Sequence, residues 1–187
     1  FMRLFEEGKS GFIRYMEMME VTPLVNEPEN PVTLPEVRGE ICFEDVSFHY
    51  PDAEENVLEH LTFSVASGES VAFAGASGIG KTTVSMLAAR FYDVTGGKIT
   101  LDGVDLRQLS NRTLRENIGL VQQEVTIFNG TVRDNIRFGR PGASDEEIRQ
   151  AAVQAGIDGY IRTLPQGYDT LVGTKGITLS GGQRQRI

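Results

Sequence analysis

Gly75-Ala76-Ser77-Gly78-Ile79-Gly80-Lys81-Thr82 follows the pattern G-x-x-x-x-G-K-[ST]. Each residue type in it suits the binding of a polyphosphate. A triphosphate carries several negative charges on bulky oxygens, and glycines let backbone N–H groups curl around them with no Cβ in the way. A helix starting near Lys81 would aim its positive end at the same oxygens. The Lys81 ammonium would reach the outer phosphates, and the Thr82 hydroxyl would be placed to hold Mg2+. Thr83 completes this candidate set. A Gly-rich turn matches such a pattern by accident in about 1% of chains of this size, from average residue usage.

A second candidate is Leu179-Ser180-Gly181-Gly182-Gln183-Arg184-Gln185-Arg186. Taken alone, Ser180-Gly181-Gly182 is either a plain turn or an anion site, with a hydroxyl and glycine N–H groups at the start of a helix.

The elements around these residues read as follows. Val71-Ala72-Phe73-Ala74 is a short continuous apolar run, expected to be a strand buried on both faces. The helix after the glycines carries Val84, Leu87, Ala88 and Phe91 at one-face spacing. Residues 41–50 alternate roughly and 61–65 cleanly, as half-buried strands do. Lys98–Leu101, Asp102-Gly103 and Val104 read as a hairpin with a tight turn. Ile118–Val121 is a second candidate core strand. Ser144 with Glu147 forms a capping box for a helix with an apolar stripe of Ile148, Ala151, Ala152 and Ala155, ended by Gly156.

Residues 1–20 read as a helix with Phe5, Gly8, Phe12, Met16 and Met19 on one face. Residues 21–40 hold Pro23, Pro28, Pro31 and Pro35 among acidic residues, a stiff extended linker and the candidate domain boundary. The chain opens at Phe1 and closes at Ile187 in an unfinished helical stretch, so a longer parent protein is expected.

The 187 residues suffice for one domain with a sizeable core. With 40% hydrophobic and 24% charged residues the composition is that of a soluble globular chain. A net charge of −8, from 18 basic and 26 acidic residues, argues against a nucleic-acid partner, which needs a basic stripe. Cys42 is the single cysteine, which excludes an internal disulfide and argues against a thiolate metal cluster. No apolar run reaches the roughly 18 residues of a membrane-spanning helix.

The two glycine-rich motifs together resemble the nucleotide-binding domain of an ATP-binding cassette (ABC) protein, over residues 41–187. The likeness is greatest to the exporter branch, where Arg-Gln-Arg follows the signature. It implies an α/β P-loop NTPase fold of ABC ATPase type, with an antiparallel β subdomain, a helical subdomain and a core sheet incomplete at the C-terminus. The implied ligands are ATP and Mg2+. In this family two domains pair head to tail, so Ser180, Gly181, Gly182 and Gln183 would contact ATP held by a partner subunit's phosphate loop. Tyr50 resembles the aromatic that stacks on adenine, and Gln123 the glutamine of the Q-loop, which meets Mg2+; Gln122 beside it satisfies the same pattern. Residues 128–136 and 164–170 resemble exporter segments, and residues 12–20 the cytosolic end of an exporter's last transmembrane helix. One departure stands out: residues 170–176 hold no acidic residue, where exporters carry a charged contact to the membrane domain.

In this family the catalytic acid on a buried strand and a histidine follow the signature, so no catalytic residue is assigned in this chain. His49 and His60 precede the phosphate loop and match no such role. The expectation is the ATP-binding domain of an exporter at the cytoplasmic face of a membrane. Its implied partners are a second nucleotide-binding domain, identical or homologous, and a transmembrane domain of the same parent chain. The 187-residue chain, itself soluble, would be inactive alone and prone to associate. The competing readings are a non-hydrolysing ATP-binding regulatory module and a soluble cassette ATPase acting on nucleic acid or ribosomes.

Overall fold

Apolar residues at helical spacing open the chain, and α1 spans Met2–Met19 there. The structure, a computed structural model, describes residues 2–174 and 176–187, and the side chains of residues 2–8 and 10 fall outside the description. The surroundings of Phe5 and Gly8 on the expected apolar face therefore lie outside the described residues. Phe12, Met16 and Met19 are exposed.

The chain divides into two compact units, Phe1–Leu120 and Val121–Ile187. In the first, the alternating segments form antiparallel strands: β1 (Ile41–Phe48) pairs with β2 (Leu58–Val65) on one side. On its other side β1 pairs with β3 (Gly96–Leu101). Between β2 and β3 lies α2 (Lys81–Ala88). β4 (Val104–Asp105) closes the sheet order β2-β1-β3-β4. The β3–β4 turn is Asp102-Gly103 with φ of 50 and 81, the paired left-handed residues of a tight hairpin turn. The rough alternation of β1 has a cause. Register shifts between Phe43 and Val46 against β2 and between Glu44 and Ser47 against β3, and Asp45 sits at φ 51. Such a bulge resets which face each residue takes, so Phe43 and Val46 both reach the core. Opposite the bulge is Gly97, at φ 72, where a Cβ would overlap the carbonyl oxygens of Glu44 and Asp45.

The core of this unit joins Phe43, Val46 and Phe48 of β1 to Val84 and Leu87 of α2 and to Leu106, Leu109 and Leu114. Leu114 belongs to α3 (Asn111–Asn117), capped by the Ser110 hydroxyl accepting from Thr113 N. α2 is shorter than its apolar spacing predicts. It stops at Ala88, so Phe91 leaves the buried face and lies 45% exposed beneath the Arg115 guanidinium, 4.7 Å above its ring. Residues 21–40 are tied to this unit. Val32 bridges Leu109, and Leu34 and Val37 pack on the core. The Asp102 carboxylate accepts the N–H groups of Arg38 and Glu40 at 2.7 and 2.9 Å.

The two expected core strands do not form. Residues 71–74 and 118–121 are unpaired among the described residues, and Val71, Phe73 and Val121 are 45%, 44% and 72% exposed. A buried parallel strand satisfies its backbone only through neighbours reached by crossover connections. Among the described residues the parallel core sheet is not complete.

The second unit is helical around a short ladder. β5 (Gly130–Thr131) leads into α4 (Val132–Phe138), followed by α5 (Asp145–Gln154) and α6 (Asp158–Thr163). β6 (Leu171–Val172) returns to pair with β5, and α7 (Gly181–Arg186) ends the unit. Val132, Ala152, Ile157, Ile161, Val172 and Leu179 form its core. The capping box of Ser144 and Glu147 is present at α5, and Gly156 follows the helix at φ 68. The expected stripe on α5 narrows to Ile148 and Ala152, leaving Ala151 and Ala155 exposed.

Candidate nucleotide-binding site

The phosphate-loop glycines do different jobs. Gly80 precedes α2 at φ 96, and a Cβ there would lie 2.8 Å from the Leu58 side chain and 3.3 Å from the Val57 carbonyl. Only glycine fits both the left-handed conformation and this close approach. Gly78, at φ 85, faces open space, so it needs glycine for conformation alone. No side chain caps α2. The first-turn N–H groups of such a helix are left for an outside acceptor, and with the helix dipole they form an anion-binding end. Lys81, the first residue of α2, folds its ammonium back onto the Gly75 and Ala76 carbonyls at 2.8 and 2.6 Å. The positive charge is thus placed at the loop. Ala76, Ser77 and Ile79 are exposed, as is the Thr82 side chain.

Thr83 turns the other way. It is 5% exposed, and its hydroxyl lies 3.0 Å from the Tyr50 hydroxyl. This bond ties the end of β1 to the first turn of α2, a link with no counterpart in sequence spacing. The Tyr50 ring is half-buried and packs edge-on against Phe48 and Tyr92, with centroids 5.0 and 5.3 Å apart.

The other candidates belong to the second unit, and each is described there. Gln123 is exposed. The backbone carbonyls of Gln122 and Gln123 accept from Gln185 Nε2 at 3.3 and 3.2 Å. Gln185 therefore holds this segment to α7, a role the sequence did not reveal because the partners are more than 60 residues apart. Ser180 and Gln183 form a reciprocal capping box: the Ser180 hydroxyl accepts from Gln183 N at 3.3 Å, and Gln183 Oε1 accepts from Ser180 N at 2.8 Å. Gly181 and Gly182 lie exposed at the helix start with open space where a Cβ would be.

The segment without acidic residues is built from neutral contacts. Asn129 Oδ1 accepts both the N–H and the hydroxyl of Thr174 at 2.8 Å, and Gly173 stands against Asn129 at φ 93. Lys175 lies outside the described residues. Nearby, Arg133 bonds Asp145 at 2.7 Å and Asp169 at 3.0 Å, joining α4, α5 and the turn before β6. Burial and the hydrogen bond it donates to Asp158 push the Tyr168 hydroxyl up to about 12.

Residues 58–187 match the family described as ABC transporter. A mitochondrial potassium channel ATP-binding subunit of Xenopus tropicalis is 47% identical over 182 residues, 96% of this chain and 26% of that protein. An ATP-dependent lipid A-core flippase of Syntrophus aciditrophicus is 43% identical over 182 residues, 97% of this chain and 30% of that protein. The solved structure of a bacterial Atm1-family ABC exporter with ATP bound is 39% identical, with a TM-score of 0.87 over 97% of this chain and 32% of that one. The chain belongs to the ABC transporter family. Its α/β fold is that of the exporter-type nucleotide-binding domain, with an antiparallel sheet and a helical unit. It spans about a third or less of the length of the relatives it matches.

Proposed function

We propose that this chain binds MgATP and couples it to transport across a membrane within a longer exporter. The observation that carries this is the phosphate loop itself: an uncapped helix N-terminus behind Gly80, with the Lys81 ammonium held at the loop. That arrangement offers backbone donors and one positive charge to a triphosphate. Gly75, Ala76, Ser77, Gly78, Ile79, Gly80, Lys81 and Thr82 are assigned to the phosphates, and Tyr50 to adenine. Thr83 supports the site by fixing Tyr50.

Thr82 in the first unit is assigned to Mg2+ through its hydroxyl, alongside phosphate oxygens, and Gln123 in the second unit is likewise assigned to Mg2+. This ion binds through few protein groups when phosphates supply the rest. When bound, the ion would neutralise charge on the phosphates. The protein residues orient the nucleotide: Lys81 by charge, the loop by its N–H groups, Tyr50 by stacking.

Ser180, Gly181, Gly182 and Gln183 are assigned to ATP held by a second nucleotide-binding domain. The Ser180–Gln183 box makes a pre-set helix start for this contact. A transmembrane domain of the parent chain is the proposed other partner, with this domain at the cytoplasmic face. No helix among the described residues is long and apolar enough to cross a membrane. A second reading is an ATP-binding regulatory module, and one relative is named as a channel's ATP-binding subunit.

Titration with a fluorescent ATP analogue tests the site. Lys81→Ala removes a charged donor to phosphate, a loss of about 1.5–3 kcal/mol or roughly 10–150-fold in Kd. Unchanged affinity in Lys81→Ala would remove the phosphate-loop assignment.

A further inference from the structure

Arg90 lies just beyond α2, at φ 50 and 3% exposed. A left-handed residue at that point is the position glycine normally fills. A buried guanidinium is rare unless its donors are matched. The side chain shows what holds it there. Nε donates to Asp93 Oδ1 at 2.8 Å, Nη1 to the Leu109 carbonyl at 3.4 Å, and Nη2 to the Asn26 carbonyl at 3.0 Å. Arg90 therefore joins the turn after α2, the turn before α3, and the segment that runs from α1 to β1. Two more bonds fasten that segment nearby. Asn111 N donates to Glu27 Oε1 at 3.1 Å, and Val32 N donates to the Gln108 carbonyl at 2.8 Å.

The opposite end of α2 carries Lys81 and the phosphate loop. A helix of this length is a stiff rod of about 12 Å. A shift of this rod at its phosphate end would also move its Arg90 end. Arg115 steadies the same end, donating from Nη1 to the Ala89 carbonyl at 2.8 Å. We propose that Arg90 is a positioning residue that couples the phosphate loop to residues 26–32, so that nucleotide seated at α2 tightens this segment against the first unit. The segment then carries the nucleotide state toward α1 along the chain. The proposal rests on the ATP-binding reading above.

A merely structural Arg90, ending the helix and filling space, makes a different forecast. Glycine meets the φ 50 of the helix end, so Arg90→Gly, whatever it costs in packing, would then leave any nucleotide effect intact. The test is amide hydrogen exchange in the full-length protein that carries this chain, with and without MgATP, read at Val32. In the native protein, ATP slows Val32 exchange by about tenfold, as expected of a local opening that a ligand suppresses. In Arg90→Gly, ATP still binds, but Val32 exchanges at the same rate with and without it. Arg90→Lys, which keeps the charge and most of the bulk but loses the guanidinium fork to the Asn26 and Leu109 carbonyls, reduces the ATP effect to about threefold or less; it decides the question if Arg90→Gly fails to fold. Equal Val32 rates in the ATP-saturated and ATP-free native protein overturn the coupling while the binding site stands. Full slowing in both variants also overturns it. Absence of ATP binding by the native protein is the separate failure of the ATP-binding reading, and the coupling falls with it.

Discussion

At Gly80 one missing Cβ serves two ends. The residue sits at φ 96 and within 2.8 Å, counted from an added Cβ, of Leu58. Gly78 shares the left-handed φ, at 85, but faces open space. Their alanine variants should therefore differ. Gly78→Ala carries only the conformational cost of a left-handed residue, about 1–2 kcal/mol. Gly80→Ala adds an overlap with Leu58 and the Val57 carbonyl, for a total of about 2–4 kcal/mol. Urea denaturation of the two variants would show the difference, and equal midpoints would mean that the Leu58 contact is not restrictive. Buried Thr83 makes a related point: its hydroxyl meets Tyr50, so a residue beside the phosphate loop fixes the ring proposed to face adenine.

Among the elements, the helices of the second unit depend on their first turns. α4 and α5 are short and open with reciprocal capping boxes, Thr131 with Asp134 and Ser144 with Glu147. Hydrogen bonds from Thr131 hold the Asp134 carboxyl below its ordinary 3.8, and those from Ser144 hold Glu147 below its ordinary 4.5. The sign follows from linkage. A carboxyl with a depressed folded-state pKa stabilises the fold fully above its unfolded value, and that stability is lost as pH falls through the folded value. Helical circular dichroism should therefore hold from neutral pH down to about pH 4.5 and decline below it. Asp134→Asn with Glu147→Gln should flatten this decline; an unaltered acid limb would assign it to other carboxylates. Ser144→Ala should cost about 1 kcal/mol at neutral pH, read from thermal melts.

On the scale of the whole molecule, each unit has its own core, but the first exposes apolar backbone segments that no strand covers. Val71 and Phe73 are nearly half exposed, in a run that has no strand pairing among the described residues. Such an edge invites pairing with other chains. The 187-residue chain in isolation should self-associate at micromolar concentration, and Phe73→Lys should reduce this in light scattering; a monodisperse monomer would contradict it.

The sequence by itself determined what is set by local chemistry. The phosphate loop, the Asp102-Gly103 hairpin turn, the Ser144–Glu147 box and the Gly156 stop depend on φ preferences and on bonds spanning three or four residues, so residue type and spacing suffice to read them. Tertiary structure decided what depends on distant partners. Val71–Ala74 and Ile118–Val121 have strand-like composition, yet a strand exists only where another strand pairs with it. The bulge at Asp45 was visible only as imperfect alternation, because it is defined by its register against β3. Gln185 on the Gln122–Gln123 carbonyls, Tyr50 on Thr83 and Arg90 on Asn26 join residues separated by 33 to 64 positions. No spacing rule reaches that far, because the chain between such partners can take many paths and only the folded core selects one.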